Sequence, residues 1–218
     1  MDLSPPPKPV WDPELRRWAT TREQPTGDEP LFIRPGLLTH PNIPKPLHGM
    51  NPRTVLGSGW WNAARKVVYR ENNFCCWACG NHKARAPLKR LEAHETYDID
   101  YARGTAVFVE VVALCHFCHQ FIHSGRLRIL MMKGDVDPQK VVKVATHGYG
   151  ILSQAGLEPS IWTRMNLEKD YTPSYEFLHG PFAEWSTWRL VIGDKEYPPK
   201  WKTEVEYQAH YGKQTSTG

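Results

Sequence analysis

The chain has 218 residues, 40% of them hydrophobic and nine of them tryptophan, which is enough for a buried core and excludes a disordered tail. No apolar run reaches the roughly 18 residues of a membrane span, and the proline-rich start leaves no room for the apolar stretch of a signal peptide, so a soluble, cytoplasmic chain is expected. The net charge is only +4, but it is uneven: between Arg53 and Arg90 stand eight basic residues and one acid, Glu71, a local balance of +7 that suits a polyanionic partner.

Twelve of the 19 prolines lie at or before Pro52, which rules out helix or central strand there and predicts an extended arm with turns over residues 1–52. Its Trp11, Trp18, Leu31, Phe32 and Ile33 are expected to pack onto something. Trp61, Ala64, Val67 and Val68 recur at helical spacing and predict a short amphipathic helix from Trp60 to Arg70. Lys89–Thr96 reads as a strand, Ala102–Thr105 as a turn around Gly104, and the β-branched run Ala106–Leu114 as a second strand. A helix is expected from His116 to His123, closed near Gly125, and another from Pro138 to Leu157 with its proline at the start. The tail shows a strand at Trp188–Ile192, a turn at Gly193-Asp194 and a break at Pro198-Pro199. Its aromatic residues read as core before they read as base-stacking platforms.

All five cysteines fall between Cys75 and Cys118. Clustering of this kind suits a local metal site, whereas a disulfide framework would spread along the chain. Cys76-Trp77-Ala78-Cys79 and Cys115-His116-Phe117-Cys118 are two C-x-x-C units separated by 35 residues. Each bends the chain so that two thiolates meet one ion, and together they predict a tetrahedral structural zinc site. Cys75 is left over as a spare or buried thiol.

His119 and His123 stand at i and i+4 of the expected helix, on one face, where they can share a cation. His94 in the strand upstream is a third candidate ligand. Asp98 and Asp100 read as turn acids, or as partners of a ligating histidine. His116 is expected to be exposed and His82 to lie in the basic loop near phosphate, while His40, His48, His147, His179 and His210 carry no expected chemistry.

A first C-x-x-C-G, the strand Leu91-Glu92-Ala93-His94-Glu95, a hairpin and then the run "ALCHFCHQFIHSG" (113–125) resemble the HNH endonuclease family. The likeness extends over Trp60 to Leu127 and includes the segment "GWWNAARKVVYRENNF" (59–74). It implies an α+β fold, a ββα-metal core in which a hairpin and a helix surround a catalytic metal. His94 then takes the first metal-ligand position, His119 and His123 the helix ligands, and Cys76, Cys79, Cys115 and Cys118 the structural zinc knuckles. Two positions depart from the family pattern. Glu95 stands where a histidine base is usual, and Glu110 where an asparagine or histidine is usual.

The expected organisation is a proline-rich arm (1–52), an HNH-like domain (53–127) and a mixed C-terminal extension (128–218). The expected activity is metal-dependent hydrolysis of DNA, nicking or cutting both strands, with His94 and Glu95 in catalysis and RNA as the other possible substrate. Three imidazoles suit Zn or Ni, with Mn and Mg left open. Arg65, Lys66, Arg70, Lys89, Arg90 and Arg126 would hold phosphates without reading bases. The alternatives are a non-catalytic zinc-stapled nucleic-acid-binding module, or an interaction domain that binds a protein through its arm or tail.

Overall fold

The computed structural model describes residues 27–174, 177, 180 and 182–211, with the backbone of 10–12 and 17–19. The packing expected of Trp11 and Trp18, and the position of His179, lie outside the described residues. The class is α+β, with a four-stranded sheet and six helices among the described residues. No helix among them is long and apolar enough to cross a membrane.

Among the described residues before Pro52 the arm has no α-helix and no strand of the four-stranded sheet, in keeping with its prolines. It carries a short antiparallel pair, β1 (Val10–Asp12) and β2 (Arg17–Ala19), and two 3-10 turns at Pro35–Thr39 and Lys45–Leu47. Helix α1 (Pro52–Glu71) begins well before the expected Trp60. Asn51 explains the early start: its Oδ1 accepts the Thr54 amide at 2.9 Å while Thr54 Oγ1 accepts the Asn51 amide at 3.0 Å, a reciprocal cap. Gly57, at φ 90° and ψ 163°, interrupts the helix, a conformation only glycine adopts freely.

Strands β3 (Leu91–Asp100) and β4 (Thr105–Cys115) extend the expected hairpin at both ends of its turn. The turn closes through Gly104, whose amide donates to the Asp100 carbonyl at 2.9 Å, and Asp100 Oδ1 accepts the amides of Ala102 and Arg103. Asp100 is thus a turn acid, and Asp98 beside it is exposed. Strand β5 (Arg189–Ile192) joins β4 in parallel, with Ala106 opposite Leu190, and β6 (Lys195–Tyr197) joins β5 antiparallel across the expected Gly193-Asp194 turn. Helix α2 (His116–Ile122) stops earlier than expected and a second helix, α3 (Ser124–Met132), follows at once. Helix α4 (Pro138–Gln154) starts on its proline, capped by Asp137, and α5 (Ile161–Leu167) and α6 (Glu204–Tyr211) complete the set.

The chain forms two compact units, each assembled from three stretches. One comprises residues 1–40, 64–94 and 110–169, and its core is Leu38, Val112, Leu114, Phe121, Leu127, Val144 and Leu152. The other comprises 41–63, 95–109 and 170–218, with Leu47, Tyr97, Ala106, Trp188 and Leu190 at its centre.

Candidate metal centres

Both clusters anticipated from the sequence lie in the first unit. Cys76, Cys79, Cys115 and Cys118 bring their sulfurs within 4.8 Å of one another, with Cys79 and Cys115 at 3.8 Å. A tetrahedral ion with Zn–S bonds of about 2.3 Å requires sulfurs roughly 3.8 Å apart, so the set can hold a metal such as zinc. The first pair sits on a tight turn in which the Gly80 amide donates to the Cys76 carbonyl at 2.8 Å. Gly80 has φ +75°, and a Cβ there would meet Ile33 at 2.8 Å. The second pair opens α2, where the Cys118 amide points at Cys115 Sγ. Four thiols crowded at one point, three of them buried, cannot all ionise unaided. Mutual hydrogen bonds and burial push Cys79 and Cys118 up, and Cys115, which accepts those bonds, goes down. A cation would discharge the remaining protons.

His147, on α4, places Nε2 3.4 Å from Cys118 Sγ and 3.8 Å from Cys115 Sγ, so a residue expected to have no chemistry is an outer partner of this centre. Cys75 stays apart as the spare thiol, donating to the Asp28 carbonyl at 3.3 Å.

The second cluster is His94, His119 and His123, whose ligand nitrogens also lie within 4.8 Å of one another. His94 is 4% exposed and its Nε2 is buried with no hydrogen-bond partner, an arrangement that a cation would resolve. Burial and the neighbouring imidazoles hold His94 well below the usual histidine range and His123 at about 3, so both are neutral and able to ligate at pH 7. His119 Nδ1 lies 2.6 Å from Glu92 Oε2, which directs Nε2 towards the cluster.

Glu92 was not singled out from the sequence. It also takes His116 Nδ1 at 3.0 Å and Arg90 at 2.8 Å, and these partners lower its carboxyl to about 2. A signal was present: residues two apart on a strand share a face, so Glu92 stands beside His94. By the same alternation Glu95 falls on the opposite face, with Tyr97 two residues on, whose hydroxyl burial and then the Glu95 charge hold above its usual range. The structure therefore does not bring Glu95 into the three-histidine group.

His116 is buried against Glu92 and not exposed as expected, and His82 is buried too, its Nδ1 accepting the Ala84 amide. Glu110 forms an ion pair with Arg34 at 2.5 Å, which accounts for an acid at that position. Arg65, Lys66, Arg70, Lys89, Arg90 and Arg126 are all exposed on this unit. Arg126 acts on His123, whose affinity for a proton it lowers. His40, at the end of the 3-10 turn Pro35–Thr39, packs edge-on against His94 with ring centres 5.6 Å apart.

No family model matches the chain. No solved structure matches it either.

Proposed function

We propose that the chain is a metal-dependent endonuclease of the HNH type, acting on the phosphodiester bonds of DNA. The observation that carries this reading is the convergence of the imidazoles of His94, His119 and His123, with Nε2 of His94 buried and unpartnered, on a unit with exposed cations. The likeness of the sequence to HNH proteins supports it. When bound, a divalent ion would polarise the phosphodiester and stabilise the leaving alkoxide. His94, His119 and His123 would hold that ion. Glu92 fixes the tautomer and ring orientation of His119. Arg65, Lys66, Arg70 and Lys89 would take the flanking phosphates as positioning contacts. Three imidazoles favour Zn or Ni over Mg as the resident ion.

That Glu95 lies outside the three-histidine group favours a second reading, in which the same fold binds nucleic acid without cutting it. Nicking of supercoiled plasmid separates the two. With Mg, Mn, Ni or Zn supplied in turn, wild type is expected to relax the plasmid with at least one metal. His94→Ala should lose at least roughly 100-fold of that rate, a loss typical of removing a group that acts in the transition state. Absence of nicking by wild type with every metal, together with retained DNA binding, would leave the second reading.

A further inference from the structure

From the position of His116 between two of the four cysteines we infer that it is a positioning residue that couples the two metal centres: it holds Glu92, and through Glu92 the ring of His119, so that an ion in one centre tightens the grip of the other. This assignment rests on the reading above only in taking the three histidines as ligands of an ion.

His116 belongs to the second cysteine pair, with Cys115 before it as the cap of α2 and Cys118 two residues after it. Those two sulfurs fix the first turn of the helix when they share an ion. His119 stands three residues on, and residues at that spacing share a helix face, so both rings reach the same neighbour on β3. That neighbour is Glu92. His116 Nδ1 lies 3.0 Å from its Oε1 and His119 Nδ1 2.6 Å from its Oε2, one oxygen to each ring. A carboxylate only accepts, so the His116 Nδ1–H donates. Glu92 also stands two residues from His94 on the strand, and one carboxylate thereby ties the strand ligand to the helix ligand, whose ring centres are 5.4 Å apart.

Glu92 Oε1 has a second donor in Arg90, but the Arg90 side chain is 60% exposed and that of His116 only 9%. An ion pair open to solvent contributes little, whereas a buried donor keeps its geometry and its strength. The other ring nitrogen of His116, Nε2, is buried with no hydrogen-bond partner among the described residues, so the carboxylate is the polar anchor of the ring. Loss of the ion from Cys115 and Cys118 would loosen the turn that carries His116, and with it the hold on Glu92 and the orientation of His119. An ion on His119 and His94 would in turn fix Glu92 and steady the turn that presents the two sulfurs. Binding linkage requires that the two effects be equal in size.

The test uses full-length protein with cadmium-113 in the four-cysteine centre, where soft thiolates retain it, and Zn(II) titrated into the histidine centre. Calorimetry reads the Zn(II) affinity, and the cadmium resonance reads the thiolate geometry while a diamagnetic ion fills the other site. Wild type is expected to bind one further Zn(II) and to shift its cadmium resonance as it does so. His116→Phe keeps the bulk of the ring without the donor, and should bind Zn(II) roughly 10-fold more weakly with the cadmium resonance unmoved. His116→Asn, whose amide N–H stands about where the Nδ1–H does, should recover most of the affinity and the shift. Glu92→Gln breaks the bridge from its other side and should match His116→Phe, and the two changes together should lose no more than either alone. Retained cadmium in each variant certifies the fold. Wild-type Zn(II) affinity in His116→Phe, or a cadmium shift that survives in it, would place the coupling in the helix backbone and overturn the assignment. If wild type binds no Zn(II) beyond the cadmium, the ligand reading and the assignment fail together. If it binds Zn(II) without a cadmium shift, the ligand reading stands and the coupling alone fails.

Discussion

Two histidines of the candidate centre are neutral because they are buried and crowd one another, and this gives the metal-free protein a definite response to acid. His94 sits well below, and His123 at about 3 against, an unfolded value of 6.5. The native state then binds fewer protons than the unfolded chain across that interval, so stability is full above about pH 6.5 and declines as pH falls towards 3. Glu92 has its carboxyl lowered to about 2 from 4.5, so its stabilising contribution is lost only below 4.5. Between these limits the histidines set the slope, and the urea midpoint of metal-free protein should be lower at pH 5.5 than at pH 7.5. Equal midpoints would contradict this. At the other centre, a zinc-bound Cys118 thiolate could only accept, so His147 Nε2–H would donate to it and draw charge from the sulfur. His147→Ala is expected to release zinc to a chelator about tenfold faster, the usual scale for an outer partner of a metal ligand. The seven candidate ligands were legible in the sequence because each group is local: two C-x-x-C turns, an i, i+4 pair and one strand residue. His40 and His147 were not, because long-range bonds such as Arg34 to Glu110, and the packing of α4, bring them there.

At the scale of elements, one close approach positions α4. A Cβ on Gly148 would lie 2.2 Å from a ring carbon of Phe121, which is fully buried on α2. The missing side chain lets the two helices meet and carries His147, its neighbour in sequence, to the cysteine sulfurs. Gly148→Ala must displace either the ring or the helix, so a loss of about 1–3 kcal/mol and faster zinc release are expected together, read by thermal melting and a chelator assay. Periodicity foretold the hairpin, α4 and the tail strand, since each has an apolar pattern and a proline or glycine stop. It could not foretell that β5 would add to β4 in parallel, because a pairing partner leaves no mark on the period of a strand. The early start of α1 was missed for a different reason: the Asn51–Thr54 cap precedes a glycine-interrupted turn with no apolar stripe.

For the molecule as a whole, the motifs and the fold occupy different spans of chain. Residues 53–127 contain every candidate metal ligand, but the unit around them also takes residues 1–40 and 128–169. A fragment of 53–127 would lack Leu37, Leu38, Val144 and Leu152 from its core, together with His40 and His147. Such a fragment is expected to show no cooperative heat absorption in calorimetry and to lose zinc readily, whereas the full chain melts cooperatively. A sharp transition in the fragment would show that the metal alone organises it.

The parallel pairing of β4 with β5 also bears on how the protein is made. Thr105–Val107 leave the ribosome long before Arg189–Val191, their partners in the sheet, have been synthesised. Through that interval the nascent chain presents an unpaired strand edge, the kind of template that captures other chains. A message truncated before Arg189 would leave that edge open permanently, so the quality of the last stretch of translation decides whether the sheet closes on itself or on a neighbour.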